Sequence, residues 1–224
     1  MSDGREEVLK SVRKSLNRER LTPQERDWLE ARVAAPPRHT RPAFAGDLAS
    51  RVADKLSSRA ATVTTVRAMS EVGAAVADFL GRNGFSKKIA IAPALADLTW
   101  PQGFDVHTGK ARADECVSVT CCFAAVAESG SLVLLSGAES PTTLNFVPEN
   151  HIVVVRVEQI VAHFEDAWAL LRALPQGMPR AVNVISGPSR TADVEQTIQL
   201  GAHGPRRLHV ILVGREPEVR KTRS

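Results

Sequence analysis

The ten residues from 186 to 195 read Ser-Gly-Pro-Ser-Arg-Thr-Ala-Asp-Val-Glu and concentrate polar groups that can hold a ligand. They follow an apolar run, and Gly187 with the proline after it favours a turn at the end of that predicted strand. Ser189 or Thr191 can cap the helix predicted to follow, whose free amides suit an anionic group. Asp193 in its first turn complements the helix dipole and would repel a phosphate. The segment therefore predicts either a capped helix end without a ligand or a site for a small polar or carboxylate ligand.

Three further loops place hydroxyl, carboxylate and imidazole groups directly before predicted strands. The candidate site residues that they contribute are Glu128, Ser131, Thr143, His151, His203 and Gly204. A histidine can exchange a proton near neutral pH, and a carboxylate can accept a hydrogen bond from a substrate hydroxyl. Each loop also has a structural interpretation, because turns and strand ends use the same residue types.

Apolar periodicity predicts the elements that position these loops. Four short, nearly continuous apolar runs are typical of buried parallel strands: 132–135, 152–155, 181–185 and 208–213. Helical spacing connects such runs, including a predicted helix over 158–173. The pattern predicts an α/β fold, a mainly parallel sheet with helices on both faces. Ligands of such sheets bind at the carboxyl ends of the strands, so we expect the polar loops to line one cleft there.

The chain divides into three predicted regions. Residues 1–45 form a helical arm and a proline-rich linker, in which Thr22 and Glu25 predict a capping box. Residues 46–214 form the α/β domain, and residues 215–224 form a basic tail.

The net charge of +4 does not indicate nucleic-acid binding, because the excess lies at the ends of the chain. Residues 1–45 carry ten Lys and Arg against seven Asp and Glu, and the last ten residues carry four against two. These leave 15 basic and 16 acidic residues in between. Aromatic residues, on which single-stranded bases stack, are only 4% of the chain.

Other classes of protein are excluded by the sequence pattern. No apolar run approaches the roughly 20 residues of a membrane helix, and the charged N-terminus is not that of a signal peptide, so we expect a cytoplasmic protein without membrane insertion. Cys116, Cys121 and Cys122 have neither zinc nor ferredoxin spacing. We therefore expect no metal and no cofactor in this chain. There is no G-x-G-x-x-G or P-loop motif.

Four strings of residues resemble the LUD-domain family and its lactate-utilisation members. They are A-E-S-G-S-L-V-L (127–134), T-L-N-F-V-P-E-N-H-I (143–152), S-G-P-S-R-T-A-D-V-E (186–195) and G-A-H-G-P-R-R-L (201–208). Family members often have Thr-Gly-Thr where this chain has Ser129-Gly130-Ser131, which keeps the hydroxyls. The resemblance implies a fold like that of ribose-phosphate isomerases, glucosamine-phosphate deaminases and CoA-transferases.

The resemblance also implies a function, the oxidation of L-lactate to pyruvate together with iron–sulfur partner proteins. In this hypothesis the turn at 187–191 holds a small carboxylate, and Asp193 and His203 orient its hydroxyl. The alternative is an independent enzyme that resembles a CoA-transferase or a sugar-phosphate isomerase, with Glu128 as the nucleophile. A scaffolding role is a third possibility, since a shared fold does not fix the function.

Overall fold

The computed structural model describes residues 3–17, 21–35, 40–191 and 199–214. The chain divides into two compact units, residues 1–42 and residues 43–224. The predicted basic tail from residue 215 lies outside the described residues. No helix in the described ranges has both the length and the apolar character needed to cross a bilayer.

The first unit contains the two helices predicted for the arm, α1 (Asp3–Ser15) and α2 (Pro23–Ala34). The capping box is confirmed: the Glu25 amide donates to Thr22 Oγ1 at 3.2 Å, and the Thr22 amide donates to Glu25 Oε2 at 2.8 Å. No described residue of α2 is buried, and Trp28 and Val33 are 58% and 77% exposed. This helix therefore presents apolar side chains to solvent.

The second unit is an α/β domain. Its helices are α3 (Leu48–Ser57), α4 (Val72–Asn83), α5 (Thr143–Phe146) and α6 (Phe164–Arg172). Its strands are β1 (Thr62–Val66), β2 (Lys88–Ile91), β3 (Asp105–Thr108), β4 (Val117–Cys121), β5 (Ala124–Val126), β6 (Ser131–Leu135), β7 (Asn150–Arg156), β8 (Ile160–Val161), β9 (Val182–Ile185), β10 (Arg190–Thr191), β11 (Gln199–Leu200) and β12 (Arg207–Val213).

Six of these strands form one parallel sheet in the order β1-β12-β7-β4-β2-β3. Two inner strands, β7 and β12, are almost entirely buried, which explains why their sequences are apolar without alternation. One face of the sheet packs against α4, and the other packs against α3. The predicted α/β fold with helices on both faces is confirmed.

A second, smaller sheet covers part of the face that carries α3. Its order is β8-β5-β6-β9, with β6 antiparallel to both β5 and β9, and α6 packs on its far side. The runs at 132–135 and 181–185 therefore belong to this mixed sheet and not to the parallel one. This placement decides where the loop after β9 lies.

One predicted helix is changed by the structure, and another falls outside the described residues. The helix predicted over 158–173 is wrong in its first part, because Ile160–Val161 pairs with β5 as the parallel strand β8 and the helix α6 begins only at Phe164. Ile160 and Val161 are β-branched, so pairing with β5 at the edge of the small sheet is more favourable for them than a helical turn. The helix predicted after the turn at 186 falls on residues 192–198, which lie outside the described residues. The residues that flank them form the antiparallel pair β10 and β11.

Candidate functional site

A cavity of about 220 Å³ lies beside the loop that follows β9. Its walls come from four segments that are distant in sequence: α5, the start of β7, the end of β9 with the loop after it, and residues 203–208 at the start of β12. The lining residues are Asn145, Phe146, His151, Val184, Ile185, Ser186, Gly187, Pro188, Ser189, His203, Gly204, Pro205 and Leu208. We call this space the amino-edge cavity.

The cavity lies at the amino ends of the parallel strands, so the loops that line it are not at the carboxyl edge, where the sequence analysis expected them. His151 is the second residue of β7, and Leu208, its register partner, is the second residue of β12. The loop 186–189 does follow a strand, but that strand is β9 of the smaller sheet. The carboxyl-end rule applies to open parallel sheets, and the sequence alone did not show that this strand lies in another sheet.

His151 is fully buried and forms part of the cavity wall. Its Nε2 atom lies 2.7 Å from Thr120 Oγ1 on the neighbouring strand β4, whereas its Nδ1 atom has no partner among the described residues. Burial lowers the pKa of His151 to about 3, so the ring is neutral at physiological pH. A neutral ring fixed at one nitrogen can offer the other to a ligand, as donor or acceptor according to the tautomer.

Asn145 is the second buried polar group in the cavity wall. It is 0% exposed, and neither its Nδ2 nor its Oδ1 atom has a partner in the described part of the chain. A buried polar group without a partner costs about 1–3 kcal/mol of stability. A ligand or an ordered water in the cavity would satisfy these atoms. Carboxamides combine a donor and an acceptor, which matches a ligand that carries a hydroxyl and a carboxylate.

A chain of three serine hydroxyls connects the cavity to the turn between β5 and β6. Ser186 lines the cavity, and its Oγ lies 2.6 Å from the Oγ of Ser131, which is only 2% exposed. Ser131 Oγ lies 2.8 Å from Ser129 Oγ, and the Ser129 carbonyl accepts a hydrogen bond from Arg59 Nη1 at 2.6 Å. Ser131 thus supports the cavity wall from behind, one hydrogen bond away from the lining.

Ser189 joins the two loops that close the cavity. Its amide donates to the Pro205 carbonyl at 2.8 Å, and its hydroxyl accepts from the His203 amide at 3.3 Å. The loops that carry Ser189 and His203 are thus joined by hydrogen bonds, whereas the helix that Ser189 was predicted to cap lies outside the described residues. At Gly204 an added Cβ would lie 3.6 Å from both Phe146 Cδ1 and Ser189 Cβ. A methyl group there would therefore occupy the space between these two side chains.

Glu128 lies apart from this cavity and pairs with a histidine that the sequence did not single out. Its Oε2 atom is 3.2 Å from His163 Nδ1, and the His163 ring packs at 5.2 Å from Phe44. The Glu128 amide donates to the Ala162 carbonyl at 3.0 Å. The carboxylate thus helps to anchor the turn before β6 to the segment before α6.

Thr143 also lies elsewhere, although it is two residues from Asn145. Successive residues of a helix are about 100° apart, so residues two apart face nearly opposite directions. Thr143 lines a separate cavity, and its hydroxyl accepts from the Ala111 amide at 3.3 Å. The backbone of Thr191 lies in β10, and its side chain and all of Asp193 fall outside the described residues.

The structure thus brings together five of the candidate residues, His151, Gly187, Ser189, His203 and Gly204, leaves Glu128 and Thr143 apart from them, and adds groups that the sequence analysis did not select. Asn145 lies within the T-L-N-F-V-P string, where a polar amide among apolar residues could have marked it as a candidate site residue. Thr120 had no such signal, because its role depends on the pairing of β4 with β7.

The three cysteines differ in exposure: Cys116 is exposed, Cys121 is half-buried and Cys122 is buried. Burial raises the pKa of both the Cys121 and the Cys122 thiols, which disfavours thiolates. In the described ranges, no three His, Cys, Asp or Glu side chains are grouped to hold a metal ion.

Residues 49–213 match the LUD domain. The chain is 34% identical over 172 residues to lactate utilization protein C of Deinococcus radiodurans, an alignment that covers 72% of this chain and 77% of that protein. It is 32% identical over 127 residues to lactate utilization protein C of a Geobacillus strain, covering 51% and 53%. An uncharacterized protein of Neisseria meningitidis is 39% identical over 88 residues, which are 39% of this chain and 38% of that protein.

A solved structure is similar as well. The crystal structure of a DUF162 family protein from Deinococcus radiodurans superposes with a TM-score of 0.59 and 26% sequence identity. The superposition covers 77% of this chain and 100% of the other.

Proposed function

Because the chain belongs to the LUD-domain family, we propose that it is a cytoplasmic subunit of an L-lactate utilisation system and binds the substrate in the amino-edge cavity. The relatives named lactate utilization protein C support the pathway. The oxidation of L-lactate to pyruvate removes two electrons and two protons. The proposal assigns the electron acceptor to iron–sulfur partner proteins, and binding and orientation of the substrate to this chain.

The observation that carries the proposal is the pair of unsatisfied polar residues, Asn145 and His151, in the wall of a small cavity. L-Lactate carries a hydroxyl that donates and accepts hydrogen bonds and a carboxylate that accepts them. The Asn145 amide and the neutral His151 ring supply complementary groups. Phe146 and Leu208 provide apolar walls for the methyl group. A cavity of about 220 Å³ suits a ligand of this size.

The proposal also includes His203 and Asp193, to which the sequence analysis assigned the orientation of the substrate hydroxyl. His203 lines the cavity from its exposed side, where it can reach the substrate hydroxyl or carboxylate. Asp193 keeps its proposed role of accepting a hydrogen bond from the substrate hydroxyl, a prediction that rests on the sequence alone.

The test replaces Asn145 with leucine, which has the same number and branching of side-chain heavy atoms and no polar group. Removing two unsatisfied buried atoms should leave the melting temperature unchanged or raise it. Loss of this carboxamide, the only one among the described lining residues, should weaken L-lactate binding at least tenfold, as measured by isothermal titration calorimetry.

Asn183 provides the matched control. It lies in β9, its Nδ2 atom is also unpartnered, and it is not among the residues that line the amino-edge cavity. The Asn183→Leu variant should bind L-lactate within twofold of the unchanged protein. Equal binding by the two leucine variants, or failure of the unchanged chain to bind L-lactate, would contradict the proposed site.

The alternative of acyl transfer at Glu128 has less support in the geometry. A glutamate nucleophile must meet its substrate directly, and this carboxylate is engaged with His163 away from the amino-edge cavity. We therefore expect Glu128 to stabilise the domain.

A further inference from the structure

A second cavity, of about 580 Å³, lies at the amino ends of β1 and β12. Its walls come from the end of α3, the first residues of β1, the last turn of α4 and the first residues of β12. The side chains on which the argument depends are Thr62, Phe79, Arg82, Asn83, Arg207 and His209. We call it the arginine cavity.

His209 provides the first sign that this cavity holds a ligand. The residue is 2% exposed, its Nδ1 atom lies 2.7 Å from Thr62 Oγ1, and its ring stacks on Phe79 with centroids 4.3 Å apart at 17°. These contacts fix the ring, yet its Nε2 atom has no partner among the described residues. A buried nitrogen held in this way is costly unless a ligand or water satisfies it.

The charge of the lining provides the second sign. Arg82 and Arg207 both line the cavity, whereas no aspartate or glutamate is among its lining residues. Arg82 is paired with Asp78 at 2.6 Å on the exposed surface of α4. Arg207 has no carboxylate partner in the described ranges: its Nη1 atom is 3.4 Å from Asn150 Oδ1, and its guanidinium lies over the Phe85 ring at 5.3 Å.

We propose that the arginine cavity binds a phosphate monoester of a small metabolite, with the phosphate held by Arg207 and Arg82 and an additional polar contact at His209. Two guanidinium groups match the double charge of a phosphate monoester better than the single charge of a carboxylate, and each can bind two oxygens at once. The volume falls within the range of cavities that hold small organic ligands.

This site is distinct from the amino-edge cavity. Leu208 lines both spaces, but successive side chains of a strand point to opposite faces of the sheet, so His209 lies on the α4 face. His151, the register partner of Leu208, lies on the α3 face. A phosphate bound at His209 would therefore not occupy the proposed lactate site.

The experiment measures binding of inorganic phosphate and methyl phosphate to the full chain by calorimetry and by ³¹P NMR. Potassium chloride holds the ionic strength constant, because salt screens non-specific attraction. Arg207→Met and Arg82→Met should each weaken both probes at least tenfold. Arg206→Met removes the same charge from the adjacent exposed residue, which is not among the residues that line the arginine cavity, and should change binding by less than twofold.

Several results would overturn the proposal. They are the absence of saturable binding by either probe, equal weakening by Arg206→Met and Arg207→Met, and acetate binding as tight as methyl phosphate. Melting temperatures of all variants check folding. If Arg207→Met does not fold, Arg82→Met still tests the site, because Arg82 lies on the exposed end of α4 and its loss removes one surface ion pair.

Discussion

The stability of the domain should fall steeply between pH 7 and pH 5 because of two buried histidines. Burial lowers the pKa of His151 to about 3, and burial together with the nearby charge of Arg82 lowers the pKa of His209 to about 4. An unfolded histidine has a pKa of about 6.5. Between these values the unfolded chain binds a proton that the folded chain does not, so acidification favours unfolding.

The magnitude follows from the difference between the folded and unfolded pKa values. For either histidine, lowering the pH to 5 favours the unfolded state by about 2 kcal/mol, because one pH unit of proton linkage is worth about 1.4 kcal/mol. The two residues together remove about 4 kcal/mol, a large part of the 5–15 kcal/mol typical of a domain. The loss continues as the pH falls towards the folded pKa values and is fully reversed above pH 7.

Urea unfolding at pH 7 and at pH 5, followed by circular dichroism, measures this loss. Asparagine in place of His209 removes the titrating group and the stacking on Phe79, so stability should be lower at both pH values. The difference between the two pH values should shrink by about 2 kcal/mol. If the variant loses as much stability between pH 7 and pH 5 as the unchanged chain, His209 does not contribute and the reasoning is refuted. The same comparison applies to His151→Asn.

Three further predictions test other parts of the chain. Gly130→Ala should lower the free energy of unfolding by about 1–3 kcal/mol, because φ is +68° and the new Cβ would lie 2.5 Å from Lys55 Cβ. Gly81→Ala, in open space on α4, should raise it by about 0.5–1 kcal/mol, and urea unfolding measures both. Glu128→Gln should leave growth on L-lactate intact, and lost growth with normal folding would revive the acyl-transfer alternative. Deleting residues 1–42 should leave the domain's melting temperature unchanged but weaken co-purification with an iron–sulfur protein; undiminished co-purification would exclude a docking role for the arm.

The sequence predicted the inner strands β7 and β12 of the parallel sheet well because they are buried on both faces. The runs at 152–155 and 208–213 are apolar at nearly every position, which leaves few alternatives to central strands. The small sheet could not be predicted in this way. Membership of β8 and β9 in a sheet depends on pairing with β5 and β6, and short apolar pairs such as Ile160–Val161 fit a helix or a strand equally well.

The candidate site was predicted by residue type more successfully than by position. Five predicted residues line the amino-edge cavity because the loops that carry them lead into β7 and β12 or leave β9. Their arrangement at the amino edge depends on which strands share a sheet, and this information is absent from local patterns. Asn145 was missed for a related reason: only the short helix α5 turns it away from Thr143 and towards the cavity.

At the amino edge of the parallel sheet, buried polar side chains occupy positions where apolar residues could pack. His151 and His209 are one register position apart on the paired strands β7 and β12, so they face opposite sides of the sheet, and each has one nitrogen bonded to a threonine and one without a partner. Apolar residues of similar volume would avoid these unsatisfied groups and the acid sensitivity that accompanies them. Each of these two residues, which lower the stability of the domain, lines a cavity. A common explanation is that the two faces of one edge each hold a ligand, a hydroxy acid beside His151 and a phosphate ester beside His209.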